Sequence, residues 1–253
     1  MPGVRRYYWR FAPTLYRWNC TRRVVHEAPL DPLQLRYVNP DALSRLTGRN
    51  RATEDRWRDV GTVRCGDWDR NNGYVMGIEQ DDRLDRVFTA ETFEETVLYQ
   101  SFEAHLEHGV PWEDTDLFQS VMEAIEAGYS IWRGSQSRDD LFERCRTVDQ
   151  LYETIKTQGY KTQMELREAG GSYRDRVGYL DVLTDEVAVD VARDGEFLFV
   201  DGRHRLAIAK LLGIDRIPVL VLVRHCEWMD HRDRLSIEAS SVPAHPDLVE
   251  LRY

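Results

Sequence analysis

At 253 residues, with 42% hydrophobic and 11% aromatic side chains, the chain can bury a sizeable core and has the composition of a globular protein. Its formal net charge of −10 disfavours nonspecific binding to nucleic acid unless a local basic patch dominates, and leaves small anionic ligands as the better partners. No apolar run reaches the roughly 18 residues of a membrane span, and an N-terminus broken by arginines and a proline lacks a signal-peptide core, so a soluble cytoplasmic protein is the expectation.

The 34 basic residues include only Lys156, Lys161 and Lys210 as lysines. Acidic excess with scarce lysine resembles either salt adaptation or a GC-rich coding bias. Cys20, Cys65, Cys145 and Cys226 form no CxxC pair, so the sequence predicts buried free thiols rather than a zinc ribbon or a disulfide framework.

Residues 1–60 interleave aromatics (Tyr7, Tyr8, Trp9, Phe11, Tyr16, Trp18) with arginines (Arg5, Arg6, Arg10, Arg17). Packing on the main domain is the favoured reading of this segment, ahead of membrane-surface docking and of base stacking on a nucleic acid. Gly61 to Cys65 run into Gly66-Asp67-Trp68-Asp69, where two carboxylates stand two residues apart. Phe93, Val97, Leu98, Phe102 and Leu106 fall at helical spacing before Gly109, as do Leu117, Phe118, Val121, Met122 and Ile125 before Gly128. Ser137 opens a third helix, and Thr147 with Gln150 makes a capping box for a fourth, which stops at Gly159. His105 and His108 share a helix face without any further ligand series, which favours solvated histidines over a metal pair. Residues 164–187, with Gly170-Gly171, read as a loop able to cover a pocket.

Residues 196–225 carry the most information. Phe197, Phe199 and Val200 suit a strand, Asp201-Gly202 is turn chemistry, and 206–212 is an apolar helix apart from Lys210, stopped by Gly213. Arg203, His204 and Arg205 open that helix. Free N–H groups and partial positive charge at a helix start, joined by cations from the same turn, suit phosphate, sulfate or carboxylate. Residues two apart on a helix diverge by about 200°, so only one of Arg203 and Arg205 can clamp a ligand.

The order of these elements, a helix at 151–163 ending near a glycine, the strand into Asp201-Gly202, the helix from Arg203 and a strand introduced by Pro218, resembles the ParB/sulfiredoxin superfamily over residues 147–225. The resemblance implies an α/β (α+β) domain with a compact mixed sheet and a phosphate-binding helix at 61–225. It also implies a first strand at Gly61 to Cys65, a helical insertion at 74–140 and a C-terminal tail at 226–253. Sulfiredoxins carry a reactive cysteine where Arg203 stands, which removes that chemistry. ParB proteins carry a glutamate there, and the 28 residues after His225 leave no DNA-binding module in view.

The pattern Asp-Gly-x-His-Arg is most similar to the free-serine kinases of the superfamily. That likeness implies ATP or another nucleotide held by Asp201, Gly202, Arg203, His204 and Arg205, with Arg205 as the clamp shared by the family patterns. Lys161, Thr162 and Gln163 border the ligand. Asp67 or Asp69 would serve as base or Mg2+ ligand, and His204 would polarise the phosphate. The expectation is a nucleotide-dependent phosphotransferase on a small hydroxylated metabolite; the alternative is a nucleotide-sensing or DNA-associated regulatory protein without turnover.

Overall fold

The structure is a computed structural model, which describes residues 11–18, 26–49, 56–71, 87–129, 131–132, 134–170, 178–238 and 242–252. Five strands make one mixed sheet: β1 (Arg36–Val38), β2 (Thr62–Arg64), β3 (Val187–Val191), β4 (Phe197–Asp201) and β5 (Ile217–His225). The order is β1-β5-β3-β4, with β2 on the same margin of β5 as β1. β1 runs antiparallel to the first residues of β5, β2 parallel to its last, β3 parallel to it, and β4 antiparallel to β3. All nine residues of β5 and all five of β3 are buried, as expected for strands covered on both faces.

Side chains alternate between two cores. Val187, Val189, Val191, Phe199, Val219 and Val221 face one, Ala188, Val200, Leu220 and Leu222 the other. The first core is closed by α3 (Val97–Leu106), α4 (Asp116–Glu126), α5 (Arg138–Gln158) and α8 (Arg203–Leu211); the second contains Ala12 of α1 (residues 11–18) with Tyr179 and Leu183 of α7 (Tyr179–Thr184). The short helices α2 (Arg56–Asp59) and α6 (Gln163–Glu168) and the longer α9 (Cys226–Glu238) complete the set among the described residues. This is the mixed α/β class anticipated from the sequence.

Several expectations change. Residues 138–158 are one helix, not two: the Thr147 hydroxyl donates to the Glu143 carbonyl 2.8 Å away, one turn back, and so does not cap a new helix. Ser137 caps α5 as anticipated, accepting from the Asp140 amide. The stretch read as a covering loop holds α6 and α7 and opens into β3 at Val187, while residues 171–177 lie outside the described set. The 1–60 segment supplies β1 to the sheet rather than only packing on it.

Cys65 and Cys226 are disulfide-bonded, with Cα atoms 5.1 Å apart, where free thiols were expected. The cause is register: Arg64 pairs with His225 in the parallel β2–β5 ladder, so the next residue of each chain lies beside the other. Cys145 is free and buried, and Cys20 is outside the described residues.

Candidate functional site

The turn between β4 and α8 brings Asp201, Gly202, Arg203, His204 and Arg205 to one corner. Gly202 is the N-cap of α8 in the left-handed region at φ 93° and carries no side chain to cap the first turn. A Cβ there would stand 2.8 Å from the Val187 Cα, so only glycine fits between the turn and the start of β3. Asp201 accepts from the Gly202 amide at 2.6 Å, its role in the turn.

Arg205 takes the opposite part to the one expected. Its side chain is buried, donates to Glu186 at 2.7 Å and to the Lys161 carbonyl, and lies over the Tyr160 ring at 4.3 Å. The first buried position of the helix turns inward, toward the carboxylate that precedes β3, so this arginine fastens α8 to the 160–163 loop instead of clamping a ligand. Burial pushes the Glu186 carboxyl above its usual range against the pull of Arg205. Arg203, two residues earlier and only partly buried, points the other way, with its guanidinium 4.8 Å from the Phe88 ring centre. The divergence of the two arginines is as the helix period requires, with the roles exchanged.

Lys161, Thr162 and Gln163 do border the corner, through backbone. The Lys161 carbonyl receives Arg205, Thr162 caps α6 by accepting from the Glu165 amide, and the Gln163 amide donates to Glu186. Lys161 Nζ donates to Gln158 at 3.3 Å.

His204 is engaged on both ring nitrogens. The Trp132 indole N–H donates to Nε2 at 2.8 Å, and Arg144 Nη2 stands 3.1 Å from Nδ1. The indole N–H occupies the Nε2 lone pair, so a neutral ring carries its one proton on Nδ1, the nitrogen that faces Arg144, and both ring nitrogens are turned toward protein groups. The expected polarising role for His204 is therefore replaced by a packing one: the imidazole sits between the Trp132 indole and the Arg144 guanidinium at the start of α8. Trp132 has φ 47°, the one non-glycine residue with positive φ among the described residues, and Arg144 lies 5.8 Å from its ring centre. A tryptophan in that region costs on the order of 1 kcal/mol of backbone strain, which the surrounding contacts offset. Neither Trp132 nor Arg144 announces itself in sequence, since each meets His204 only through the tertiary fold.

Asp67 and Asp69 do not approach this corner. β2 runs parallel to the last residues of β5, so the loop after it emerges at the end of the sheet where β3 turns into β4, whereas Asp201 pairs with Ala188 at the other end. Asp69 accepts from the Arg193 amide, Nε and Nη2, the last at 2.7 Å, and Asp67 accepts from Arg193 Nη2 at 2.8 Å. From Val187 beside Gly202, β3 takes four steps to Val191, roughly 13 Å, before the turn that holds Arg193. Arg193 holds the Asp69 carboxyl well below the usual carboxylate range against the opposing effect of burial. These two carboxylates do not fit a magnesium site or a base for a reaction at Gly202. No group of three or more His, Cys, Asp or Glu side chains among the described residues is placed to hold a metal ion.

His105 likewise serves structure: Nδ1 lies 2.6 Å from the Val110 carbonyl, Nε2 lies 3.2 Å from Asp149, and the ring stacks on Trp112. No helix among the described residues is long and apolar enough to cross a membrane. Compared with family models, curated proteins and solved structures, the chain matches none.

Proposed function

We propose that this chain binds a phosphate-bearing small molecule, a nucleotide such as ATP being the first candidate, at the start of α8, and that it works as a ligand-sensing protein of ParB/sulfiredoxin-like build. The observation that carries the reading is the glycine N-cap of α8, where no side chain caps the first-turn amides, while Arg203 and Arg144 stand around the same turn. The anticipated phosphotransferase step loses its support because both carboxylates named for it are held by Arg193 at the far end of the sheet. Arg205 and Glu186 keep the corner rigid from beneath.

Calorimetry with ATP, ADP, CTP and inorganic phosphate, each with and without magnesium, tests the reading. Binding by at least one nucleotide is the expected result, and Arg203→Ala is expected to weaken it by about tenfold, equivalent to ~1.4 kcal/mol. Failure of all four ligands to bind ends the proposal; undiminished binding by both Arg203→Ala and Arg144→Ala moves the ligand elsewhere. Release of ADP from ATP in the presence of a hydroxylated acceptor restores the phosphotransferase reading.

A further inference from the structure

Three arginines are buried around a single carboxylate on the first-core face of the sheet. Arg36 belongs to β1 and Arg224 to the end of β5. Between Val221 and Arg224 the β5 chain spends one residue more than β3 does between Val189 and Val191, and this irregularity re-aims Arg224. Arg232 reaches in from α9, and Asp247 comes from the short 3-10 segment Pro246–Arg252.

Asp247 is fully buried and accepts from Arg36 Nε at 3.1 Å, from Arg224 Nε at 2.9 Å and Nη2 at 2.6 Å, from Arg232 Nη1 at 3.4 Å and from the Trp228 indole N–H at 2.9 Å. Glu250 adds a second carboxylate at the rim, 14% exposed, accepting from Arg36 Nη2 and lying 3.6 Å from Arg232 Nη2. The arginine side chains are 0%, 1% and 0% exposed.

The charges do not balance. Three guanidinium groups face two carboxylates, leaving one positive charge in excess, and arginine, unlike lysine, does not shed its proton on burial. The hydrogen bonds do not balance either. Arg36 Nη1, Arg224 Nη1 and Arg232 Nε are buried with no acceptor, each on a guanidinium already anchored to Asp247, against a single idle acceptor, Glu250 Oε2. An uncompensated buried cation with idle donors is among the costliest arrangements a fold can hold. A single negative ion answers both deficits together, because it neutralises the excess and accepts from the idle groups. A water molecule answers only the second. Apart from Glu250 Oε2, the idle atoms of the cluster are donors, which suits an acceptor that brings no hydrogen of its own.

From this we infer that the Arg36–Arg224–Arg232 cluster is a structural binding site for one small monovalent inorganic anion, with chloride the simplest chemical match. Burial above all, with smaller contributions from the like-charged neighbours Arg224 and Arg36, presses the Arg232 pKa downward against the pull of Asp247 and Glu250.

Thermal unfolding of the full chain in sodium chloride or bromide, against sodium gluconate at equal ionic strength, reads the site. The expected outcome is a saturable rise in Tm of about 2–4 °C with either halide and none with gluconate. Arg232→Gln, which removes the excess charge, is expected to melt at one temperature in all three salts. Equal Tm of the wild-type chain in chloride and gluconate overturns the inference. Should Arg232→Gln fail to fold, a bromide-soaked wild-type crystal decides: an anomalous peak within hydrogen-bond reach of two of the three idle nitrogens supports the site, and its absence there overturns it.

Discussion

Replacing Gly202 with alanine tests whether the corner is built as described. Two costs combine. At φ 93° an L-residue is strained by about 1–2 kcal/mol relative to glycine. The new methyl would also stand 2.8 Å from the Val187 Cα and 3.1 Å from its Cγ2, and Val187 cannot give way because β3 is paired on both sides, to β4 and β5. Overpacking against such a backbone adds about 1–3 kcal/mol, for a total of about 2–5 kcal/mol.

Gly213→Ala is the control, because that glycine has φ 60° and nothing within 4 Å of its Cβ position, so it carries the backbone cost alone. Urea unfolding at neutral pH measures both, and the Gly202 variant should show the lower midpoint at unchanged m-value. If Gly202→Ala loses no more stability than Gly213→Ala, the close approach to Val187 is wrong, and with it the reason for a glycine at the helix start.

Asp69, held below its normal range by Arg193, stabilises the folded state above the unfolded carboxylate pKa of about 4, and that contribution is lost as pH falls toward the folded value. Asp69→Asn should therefore cost about 2 kcal/mol at pH 7 and show a shallower acid limb than wild type in urea melts from pH 7 to 3; parallel limbs would show that the Arg193 contacts contribute nothing. Removing the disulfide by Cys65→Ala/Cys226→Ala opens a sequence separation of 161 residues and should lower stability by about 2–4 kcal/mol; alkylation of the denatured, unreduced wild-type chain should label no more than two of its four cysteines. Trp132→Phe keeps the ring but loses the N–H bonded to His204, so a loss of about 1 kcal/mol by thermal melt is expected, and no loss would mean that hydrogen bond has no weight.

The parts legible in sequence are those whose signal is local. β4, the glycine turn, α8, its stop at Gly213 and β5 all follow from residues within one or two turns of each other, and α3 and α4 from their apolar period. What sequence reasoning missed was decided by partners far along the chain. β1 is three residues long and exists because β5 offers it an edge. The sequence Val187–Val191 has a strand's alternation with Asp190 on the face opposite the valines, where a polar residue reads as exposed, and only the structure shows that carboxylate fully buried on Arg49, Thr47 and the Val223 amide.

At the site, the helix period announced that Arg203 and Arg205 must part. Which one turns inward depended on Glu186 and Tyr160, neighbours brought by β3 and the end of α5. Asp67 and Asp69 failed as site residues for the same reason: a strand's end can be read locally, but the end of the sheet at which it emerges is fixed by pairing.

The bond between residues 65 and 226 encloses α3 to α8 and the whole Gly202 corner in one covalent ring. Any single proteolytic cut between residues 66 and 225 therefore produces two fragments that migrate together on a gel until a reductant is added. A nicked molecule keeps both halves of the corner tethered, so a preparation that looks intact without reductant can already be broken.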